Sequence, residues 1–305
     1  MCPVCESDNV TILRKYRSSK VIFDHLKLAK CNSCEMVFVS PMPSQEILDD
    51  YNACYFMTAH GGIPQDIISQ SFFSGIAGIR LQHAEKYLDK NRLEVKNVLE
   101  IGPGTGVFAK KWISKHPHSF YCAIETDKSC YDSLNKLGVK LIDKDYIDGT
   151  EGPFDLVVMS HVLEHVTDPI EFIHKNTRSL NKGGVIFIEV PCNDWQHKPE
   201  DEPHLLFFHK KPMMQLMKSL GFKNIQVSYH GQTIQELKAK PYKFNLVSRF
   251  YSKIIQIGLF WFPALYYREG KSYLSTLEQE VMLPFKAHKT SVKPAWWLRV
   301  MAQKE

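Results

Sequence analysis

A glycine-rich turn between an apolar strand and a helix constrains the fold of this chain most strongly. Residues 97–112 read NVLEIGPGTGVFAKKW, in which a short apolar run enters the turn and a helical pattern leaves it. Glycines let the backbone approach a ligand closely at the carboxyl end of such a strand. The segment is the typical entry unit of a doubly wound α/β fold, and it predicts a ligand site at that edge of the sheet.

Further apolar runs predict the remaining strands of this sheet. Continuous Val/Ile-rich runs suit parallel strands that are buried on both faces. The predicted strands are Phe120–Ile124, a weaker Val139–Ile142, Phe154–Met159, Gly184–Val190, Phe222–Tyr229 and Trp296–Met301. Helical patterns separate several of them. One helix begins at Asp168-Pro169, a capping residue followed by proline at the first helical position, and is predicted to run to about Leu180.

The spacing of the glycines distinguishes between classes of nucleotide site. The motif Glu100-Ile101-Gly102-Pro103-Gly104-Thr105-Gly106 places its third glycine one residue earlier than a dinucleotide fingerprint requires. A P-loop is excluded, since no Gly-Lys-Ser/Thr follows. Glu125 lies at the end of the second strand, where its two acceptor oxygens are placed to bind ribose hydroxyls.

Two C-x-x-C pairs near the N-terminus predict a structural zinc ribbon. Twenty-five residues separate the pairs. Four thiolates complete the tetrahedral coordination of zinc and leave no open position for catalysis. The predicted ligands are Cys2, Cys5, Cys31 and Cys34. Between them, Thr11–Leu13 and Lys20–Phe23 are predicted hairpin strands; the alternatives are four free cysteines or a redox role for one pair.

Composition and charge narrow the class of protein. With 305 residues, 44% hydrophobic and 23% charged, the chain is typical of a globular protein, which excludes disorder, collagen-like repeats and coiled coil. The N-terminus shows no signal-peptide pattern, and sparse cysteines favour reduced thiols, so we expect a cytoplasmic protein. The apolar stretch Ile254–Tyr267 has 14 residues, too few for a bilayer span of about 20.

The glycine motif, Glu125 and the downstream segment FDLVVMSHVLEHVTDP together resemble a class I S-adenosylmethionine-dependent methyltransferase over roughly residues 97–231. The ribbon and the following YNACYF resemble the zinc-ribbon-bearing branch of this superfamily, which includes sugar methyltransferases of antibiotic and surface-polysaccharide pathways. The resemblance implies a seven-stranded Rossmann-like α/β sheet with an antiparallel last strand. It also implies S-adenosylmethionine as the cofactor.

The resemblance further implies the residues that hold this cofactor. They are Glu100, Gly102, Gly104 and Gly106 around the methionine part, Glu125 on the ribose, Asp145 near the adenine, Ser160 and His161 beside the cofactor, and Tyr55 with Phe56 in an element that closes over the site.

Several histidines are candidates for the general base that a hydroxyl acceptor would need. In the sugar methyltransferases that this chain resembles, a His-Glu-His segment before an aromatic pair faces the acceptor. His204 matches the second histidine and is the first choice, although Pro203 replaces the glutamate. The acidic loop 200–202 is expected to interact electrostatically with it. His161 is the second candidate; if its turn is helical, it shares a face with His165, which is expected to be structural. A base-free O-methyltransferase remains an alternative.

The predicted domains are a zinc ribbon (1–43), a helical linker or cap (44–95), the methyltransferase domain (96–231 plus 294–305) and a helical insertion before the last strand (232–293). Residues 232–305 hold 12 Lys/Arg against 5 Asp/Glu, a net charge of +7. The basic, aromatic insertion has three open interpretations. It is a lid or acceptor pocket, an element that contacts the membrane surface through 250–268 at the inner face, or a dimer or nucleic-acid interface.

The favoured acceptor is a sugar hydroxyl, in a nucleotide-linked, lipid-linked or glycan molecule. One alternative is an RNA methyltransferase. It is disfavoured because the segment after the fourth strand reads SHVLEH, not an Asn-Pro-Pro-Tyr-type motif, and because no long basic stripe crosses the ribbon. The other alternative is a ribbon-bearing binding module without catalysis, which the intact glycine loop and Glu125 disfavour.

Overall fold

The computed structural model describes residues 1–55, 57, 62–143, 152–239, 253–266 and 273–305. The strands are β1 (Val10–Lys15), β2 (Lys27–Cys31), β3 (Val37–Ser40), β4 (Asn97–Ile101), β5 (Phe120–Ile124), β6 (Lys140–Leu141), β7 (Phe154–Ser160), β8 (Leu180–Pro191), β9 (Leu206–Phe207), β10 (Lys223–Thr233), β11 (Thr290–Ser291) and β12 (Ala295–Gln303). The α-helices are α1 (Gln45–Ala53), α2 (Ile67–Asn91), α3 (Val107–Lys115), α4 (Tyr131–Lys136), α5 (Pro169–Asn176), α6 (Lys210–Ser219), α7 (Ile234–Ala239), α8 (253–261), α9 (Pro263–Tyr266) and α10 (Thr276–Met282).

Within the described residues, eight strands form one mixed sheet in the order β11-β10-β12-β8-β7-β4-β5-β6. The strands from β8 to β6 pair in parallel, whereas β12 lies antiparallel to both β8 and β10. Seven of the eight overlap the predicted strands, and β11 is a two-residue addition at the edge. The predicted doubly wound α/β sheet with its antiparallel last strand is therefore confirmed. Strand β5 lies on one side of β4 and β7 lies on its other side. The strand order therefore reverses at β4, and its carboxyl end is a topological switch point.

Alternation along the strands divides the apolar side chains between the two faces of the sheet. In β4, Leu99 and Ile101 join one buried cluster, while Val98 joins the other. The second cluster packs against helices α2 and α3 through Leu81 and Trp112. Because each face is covered, the central strands are buried on both sides and present ligand groups only at their ends.

The N-terminal cysteine-bearing region forms a second sheet in the order β1-β2-β3-β9. The predicted strand Thr11–Leu13 lies within β1. The predicted strand Lys20–Phe23 was wrong: Val21–Phe23 form one 3₁₀ turn, and the pairing strand β2 follows it. β9 comes from beyond the main sheet's fifth strand and pairs with β3, Val37 opposite Phe207. The two sheets are thus tied together just beside the segment that contains His204.

Helix starts follow the capping residues that the sequence provides. Asp168 accepts a hydrogen bond from the Glu171 amide at 2.9 Å and Pro169 occupies the first turn, as predicted. The helix ends at Asn176, earlier than the predicted Leu180. The reason is that Leu180 already pairs with Phe154 as the first residue of β8.

Between β10 and β12, the described residues form the helices α7, α8, α9 and α10 and the two-residue strand β11, so the segment is mainly helical, as predicted. Leu277 and Val281 of α10 pack against Ile76 and Ile79 of α2 in a third buried cluster. Among the described helices, none is both long and apolar enough to cross a membrane.

Candidate active site and four-cysteine cluster

The glycine turn lies at the carboxyl end of β4 in a conformation that requires glycine. Gly102, Gly104 and Gly106 have φ of +65°, +56° and +77°. These angles lie in the left-handed region that residues with a Cβ rarely adopt. A Cβ at Gly102 would also lie 2.7 Å from the Val162 side chain. The turn therefore holds its backbone close to the wall of a cleft, as a cradle for a ligand does.

Glu100 points a buried carboxyl into this region. It is 2% exposed and accepts a hydrogen bond from the Tyr121 hydroxyl at 2.7 Å. Burial raises the pKa of Glu100 to about 7, although the Tyr121 hydrogen bond and the Arg80 charge oppose the rise. Removing water from a carboxylate disfavours its charged form, and one hydrogen bond replaces that water incompletely. Ionised Glu100 is therefore energetically unfavourable in the folded protein, and it lies where the cofactor is expected to bind.

Glu125 follows β5 and braces the glycine turn. Its carboxylate accepts hydrogen bonds from the amides of Gly104, Thr126 and Asp127, each at 2.8 Å. Burial raises the pKa of Glu125, and the three amide bonds oppose this rise. Because a carboxylate offers about four acceptor positions, capacity remains for a ligand hydroxyl.

Ser160 ends β7, and His161 follows it with a left-handed φ of +57°. The His161 ring lies between two buried carboxylates, with Nδ1 3.3 Å from Glu164 and Nε2 3.5 Å from Glu189. Burial alone would lower the pKa of His161, but the two carboxylates outweigh burial and raise it. The condition under which His161 and His165 would share a helical face is not met, because the turn is a 3₁₀ segment over Leu163–His165 that His161 precedes.

Beneath His161, Glu189 of β8 is the centre of a buried ionic network. It accepts hydrogen bonds from Arg80 of α2 at 2.7 Å and from Arg299 of β12 at 2.5 Å. These two guanidinium groups and His161 outweigh burial and hold the pKa of Glu189 well below its usual range. A permanently ionised Glu189 therefore favours the charged form of His161.

His204 is buried and held by a carboxylate that sequence reasoning missed. It is 5% exposed, and its Nδ1 lies 2.7 Å from Oδ2 of Asp194, which is 2% exposed. Burial opposes ionisation of Asp194, but His204 and Lys198 outweigh it and lower its pKa well below the usual range. The available signal was position: Asp194 follows the end of β8 by three residues, where the carboxyl ends of parallel strands collect functional groups.

The acidic loop before His204 interacts with the N-terminal sheet instead. The Asp201 side chain is fully buried and accepts bonds from Arg14 at 2.5 Å and from Arg17 at 2.8 Å. Glu202 accepts hydrogen bonds from Ser18 and Tyr51. These contacts give both carboxylates partners in the N-terminal region. They fix the loop that carries His204 to the β1–β2 connection.

His165 and Glu164 complete a buried group around His204. Nδ1 of His165 lies 3.2 Å from the Pro203 carbonyl oxygen, as expected for a structural histidine, and Nε2 lies 3.7 Å from Glu164. Burial lowers the pKa of His165 to about 4. Ligand atoms of Glu164, His165 and His204 all lie within 4.8 Å of one another, a spacing that a divalent metal would also fit.

One cavity of about 1830 Å³ is lined by the glycine turn, Glu125, His161 and His204. Its volume exceeds the usual 300–1,000 Å³ of a ligand pocket, so it has room for two ligands side by side. The half-buried Tyr55 lines it and meets the His165 ring edge-on at 5.5 Å. The predicted site residues in its wall are Tyr55, Glu100, Gly102, Gly104, Gly106, Glu125, Ser160, His161 and His204. Asp145 and Phe56 lie outside the described residues.

The four N-terminal cysteines also come together. Sγ atoms lie 3.5 Å apart in the pairs Cys2–Cys34 and Cys5–Cys31, and all four lie within 4.8 Å of one another. Tetrahedral zinc with Zn–S bonds of about 2.3 Å requires sulfur separations of roughly 3.8 Å. The donor set and its spacing therefore fit one structural zinc ion.

Comparison with known proteins matches residues 79–227 to the family model described as a methyltransferase domain. No curated protein matches the sequence. Among solved structures, a methyltransferase from Thermotoga maritima, described as a possible histamine N-methyltransferase, has 16% identity and a TM-score of 0.44, covering 78% of this chain and 91% of its own. An S-adenosylmethionine-dependent methyltransferase from Archaeoglobus fulgidus has 14% identity and a TM-score of 0.48, covering 82% and 98%. The plantazolicin methyltransferase BamL has 14% identity and a TM-score of 0.48, covering 86% of this chain and 99% of its own.

Proposed function

We propose that this chain is an S-adenosylmethionine-dependent methyltransferase that methylates a sugar hydroxyl in a nucleotide-linked, lipid-linked or glycan acceptor. The match of residues 79–227 to a methyltransferase-domain model supports the first part. The buried Asp194–His204 pair carries this proposal, because His204 lies in the same cavity wall as the glycine turn and Asp194 holds its ring from behind. A hydroxyl needs to lose a proton as it is methylated, and an oriented histidine is suited to accept it near neutral pH. The sugar class is supported by the resemblance of the ribbon-bearing sequence to sugar methyltransferases.

We assign the cofactor to the end of the cavity at β4 and β5. Glu100 and the three glycines would surround its methionine part, Glu125 would accept hydrogen bonds from the ribose, and Ser160, His161 and Tyr55 would complete the wall. The left-handed glycines support this assignment because they let the backbone approach a ligand closely, and the buried Glu100 supports it because its charged form is costly without a ligand partner. When bound, S-adenosylmethionine supplies a methyl group on positively charged sulfur.

The residues of the chain supply proton transfer and orientation. Asp194 accepts a hydrogen bond from Nδ1–H of His204, which leaves Nε2 as the basic nitrogen of the ring. Nε2 would take the hydroxyl proton while the oxygen receives the methyl group. We propose His161 as a second catalytic residue, whose charged form Glu164 and Glu189 favour beside the reacting groups.

We further propose that the four cysteines bind structural zinc and that residues 1–43, 44–95, 96–231 with 294–305, and 232–293 form the ribbon, cap, methyltransferase domain and insertion. The pairing of β3 with β9 supports a ribbon that is packed tightly on the methyltransferase domain. The contacts of Arg14 and Arg17 with Asp201 support a role for the ribbon in holding the His204 loop.

A binding assay tests the cofactor assignment, and a turnover assay tests the acceptor and the base. Calorimetry should detect S-adenosylmethionine binding by the full chain, and Glu125→Ala should weaken it at least tenfold. Incubation with sugar nucleotides and lipid-linked sugars should release S-adenosylhomocysteine. Here His204→Ala should abolish turnover and spare cofactor binding, while the exposed control His174→Ala retains activity.

The results also separate the alternatives. Absence of cofactor binding would refute the enzyme assignment, and full activity of His204→Ala would refute the base. Loss of activity on adding EDTA, restored by Mg²⁺ or Mn²⁺ but not by Zn²⁺, would instead assign Glu164, His165 and His204 as ligands of a catalytic metal. Methylation of RNA in place of sugars would overturn the acceptor class.

A further inference from the structure

Helices α8 and α9 carry an unusually exposed apolar surface. Phe260 and Trp261 are 78% and 68% exposed, and Ile257 is 61% exposed. We name this surface the aromatic ridge. Its members are Ile254, Ile257, Phe260, Trp261, Phe262 and Leu265. Exposed contiguous apolar surface of this kind marks an interaction site far more often than isolated exposed residues do.

The opposite side of these helices is fixed to the body of the protein. Ile255 is 3% exposed and belongs to the third buried cluster, against which Leu259 and Tyr266 also pack. The same cluster contains Leu277 and Val281 of α10. The ridge is therefore presented outward by helices that already bury one apolar stripe, and it offers a second stripe without a partner among the described residues.

The charge of the sequence that contains the ridge indicates which partner fits it. Residues 240–272 contain six Lys/Arg and a single acid, Glu269. A second copy of this chain would bring two such basic segments together, and like charges would oppose the contact. An anionic lipid surface instead attracts basic residues, by about 1 kcal/mol for each one near the surface, and accepts Trp and Phe at the headgroup boundary.

We propose that the aromatic ridge binds the surface of an anionic bilayer, with α8 and α9 lying in the plane of the interface. The ridge side chains enter the boundary between headgroups and acyl chains, and the basic composition of residues 240–272 adds electrostatic attraction to the anionic headgroups. This binding needs neither cofactor nor acceptor, so it is independent of the proposed methyl transfer. Leu277 and Glu278 of α10, the helix packed beside α9, also line the large cavity. Docking would bring the cavity close to lipid-linked molecules.

Vesicle sedimentation with the full chain tests this proposal. The protein should sediment with vesicles of equimolar phosphatidylcholine and phosphatidylglycerol, and at least tenfold less with phosphatidylcholine alone or in 0.5 M salt. Phe260→Ser combined with Trp261→Ser should weaken binding to anionic vesicles at least tenfold. Val21→Ser combined with Val292→Ser removes similarly exposed apolar groups, 82% and 97% exposed, and should leave binding unchanged.

Three results would overturn the proposal. They are failure of the wild-type chain to bind anionic vesicles, equal binding by the ridge variant, and equal loss in the Val21/Val292 control. A concentration-dependent dimer that the ridge variant abolishes, without vesicle binding, would assign the ridge to a second copy of the chain. Unchanged circular dichroism and cofactor affinity of the ridge variant would establish that a loss of vesicle binding is not a loss of fold.

Discussion

Replacing Glu100 with glutamine should stabilise the cofactor-free protein at alkaline pH. In the unfolded chain this carboxyl has an ordinary pKa of 4.5, whereas burial raises the pKa to about 7 in the folded protein. Between these pH values the folded state holds a proton that the unfolded state has lost. The free energy of unfolding therefore falls as pH rises through this window, and the full cost is present above pH 7.

The structure sets the size of the effect. The side chain is buried, so solvent does not screen the cost. At about 1.4 kcal/mol per pKa unit, the difference between the two pKa values corresponds to roughly 3 kcal/mol. Glutamine is nearly isosteric with protonated glutamate, and its oxygen is able to accept the Tyr121 hydrogen bond. Glu100→Gln should therefore exceed the wild type by less than about 1 kcal/mol near pH 5 and by up to about 3 kcal/mol near pH 8.5.

Urea unfolding at both pH values measures this difference. The exposed Glu94→Gln, whose side chain is 79% exposed, provides a matched control that should change little at either pH. An equal effect of Glu100→Gln at pH 5 and pH 8.5, or a loss of stability at pH 8.5, would refute the reasoning. The same variant should bind S-adenosylmethionine more weakly, because we expect the buried Glu100 carboxylate to contact the cofactor at the expense of stability.

Three further predictions concern the ribbon and the His204 pair. Cys31→Ser with Cys34→Ser should remove bound zinc, measured by elemental analysis, and unfold the N-terminal sheet; unchanged metal content would contradict the zinc site. Asp201→Asn should lower the free energy of unfolding by about 2 kcal/mol, less than the 3–5 typical of a fully buried pair because its arginines reach solvent. Burial raises the pKa of Asp201, but Arg14 and Arg17 outweigh burial and lower it from its ordinary value of 3.8. The loss of stability caused by Asp201→Asn should therefore shrink as pH falls below 3.8. Asp194→Asn should lower turnover at least a hundredfold with cofactor affinity retained; unchanged turnover would reject its orienting role.

Local sequence signals identified the parts of this protein whose geometry depends on neighbouring residues. The C-x-x-C spacing brings two sulfurs together within each knuckle, and the glycines allow left-handed turns that other residues resist. The capping pair Asp168-Pro169 likewise began a helix where predicted. Each of these features is decided within a few residues, so it is visible without the rest of the fold.

Two elements were predicted wrongly because distant strand pairing decided their structure. The apolar run Val21–Phe23 reads as a strand, yet it forms a 3₁₀ turn because the strand that pairs with β1 is β2. The helix after Asp168 stops early because Leu180 is required to pair with Phe154. In both cases a distant pairing partner, which local propensity does not contain, decided the outcome.

The sequence by itself determined which chemical groups stand at the ends of the strands: the glycine turn, Glu125, His161, His204 and the cysteine pairs. The tertiary structure decided which of these groups meet and with what charge. Asp194 reaches His204 across a loop, and Glu189 contacts Arg80 and Arg299, 109 and 110 residues away. The physical reason is that proximity and burial are set by packing, and the energies of buried charges depend on both.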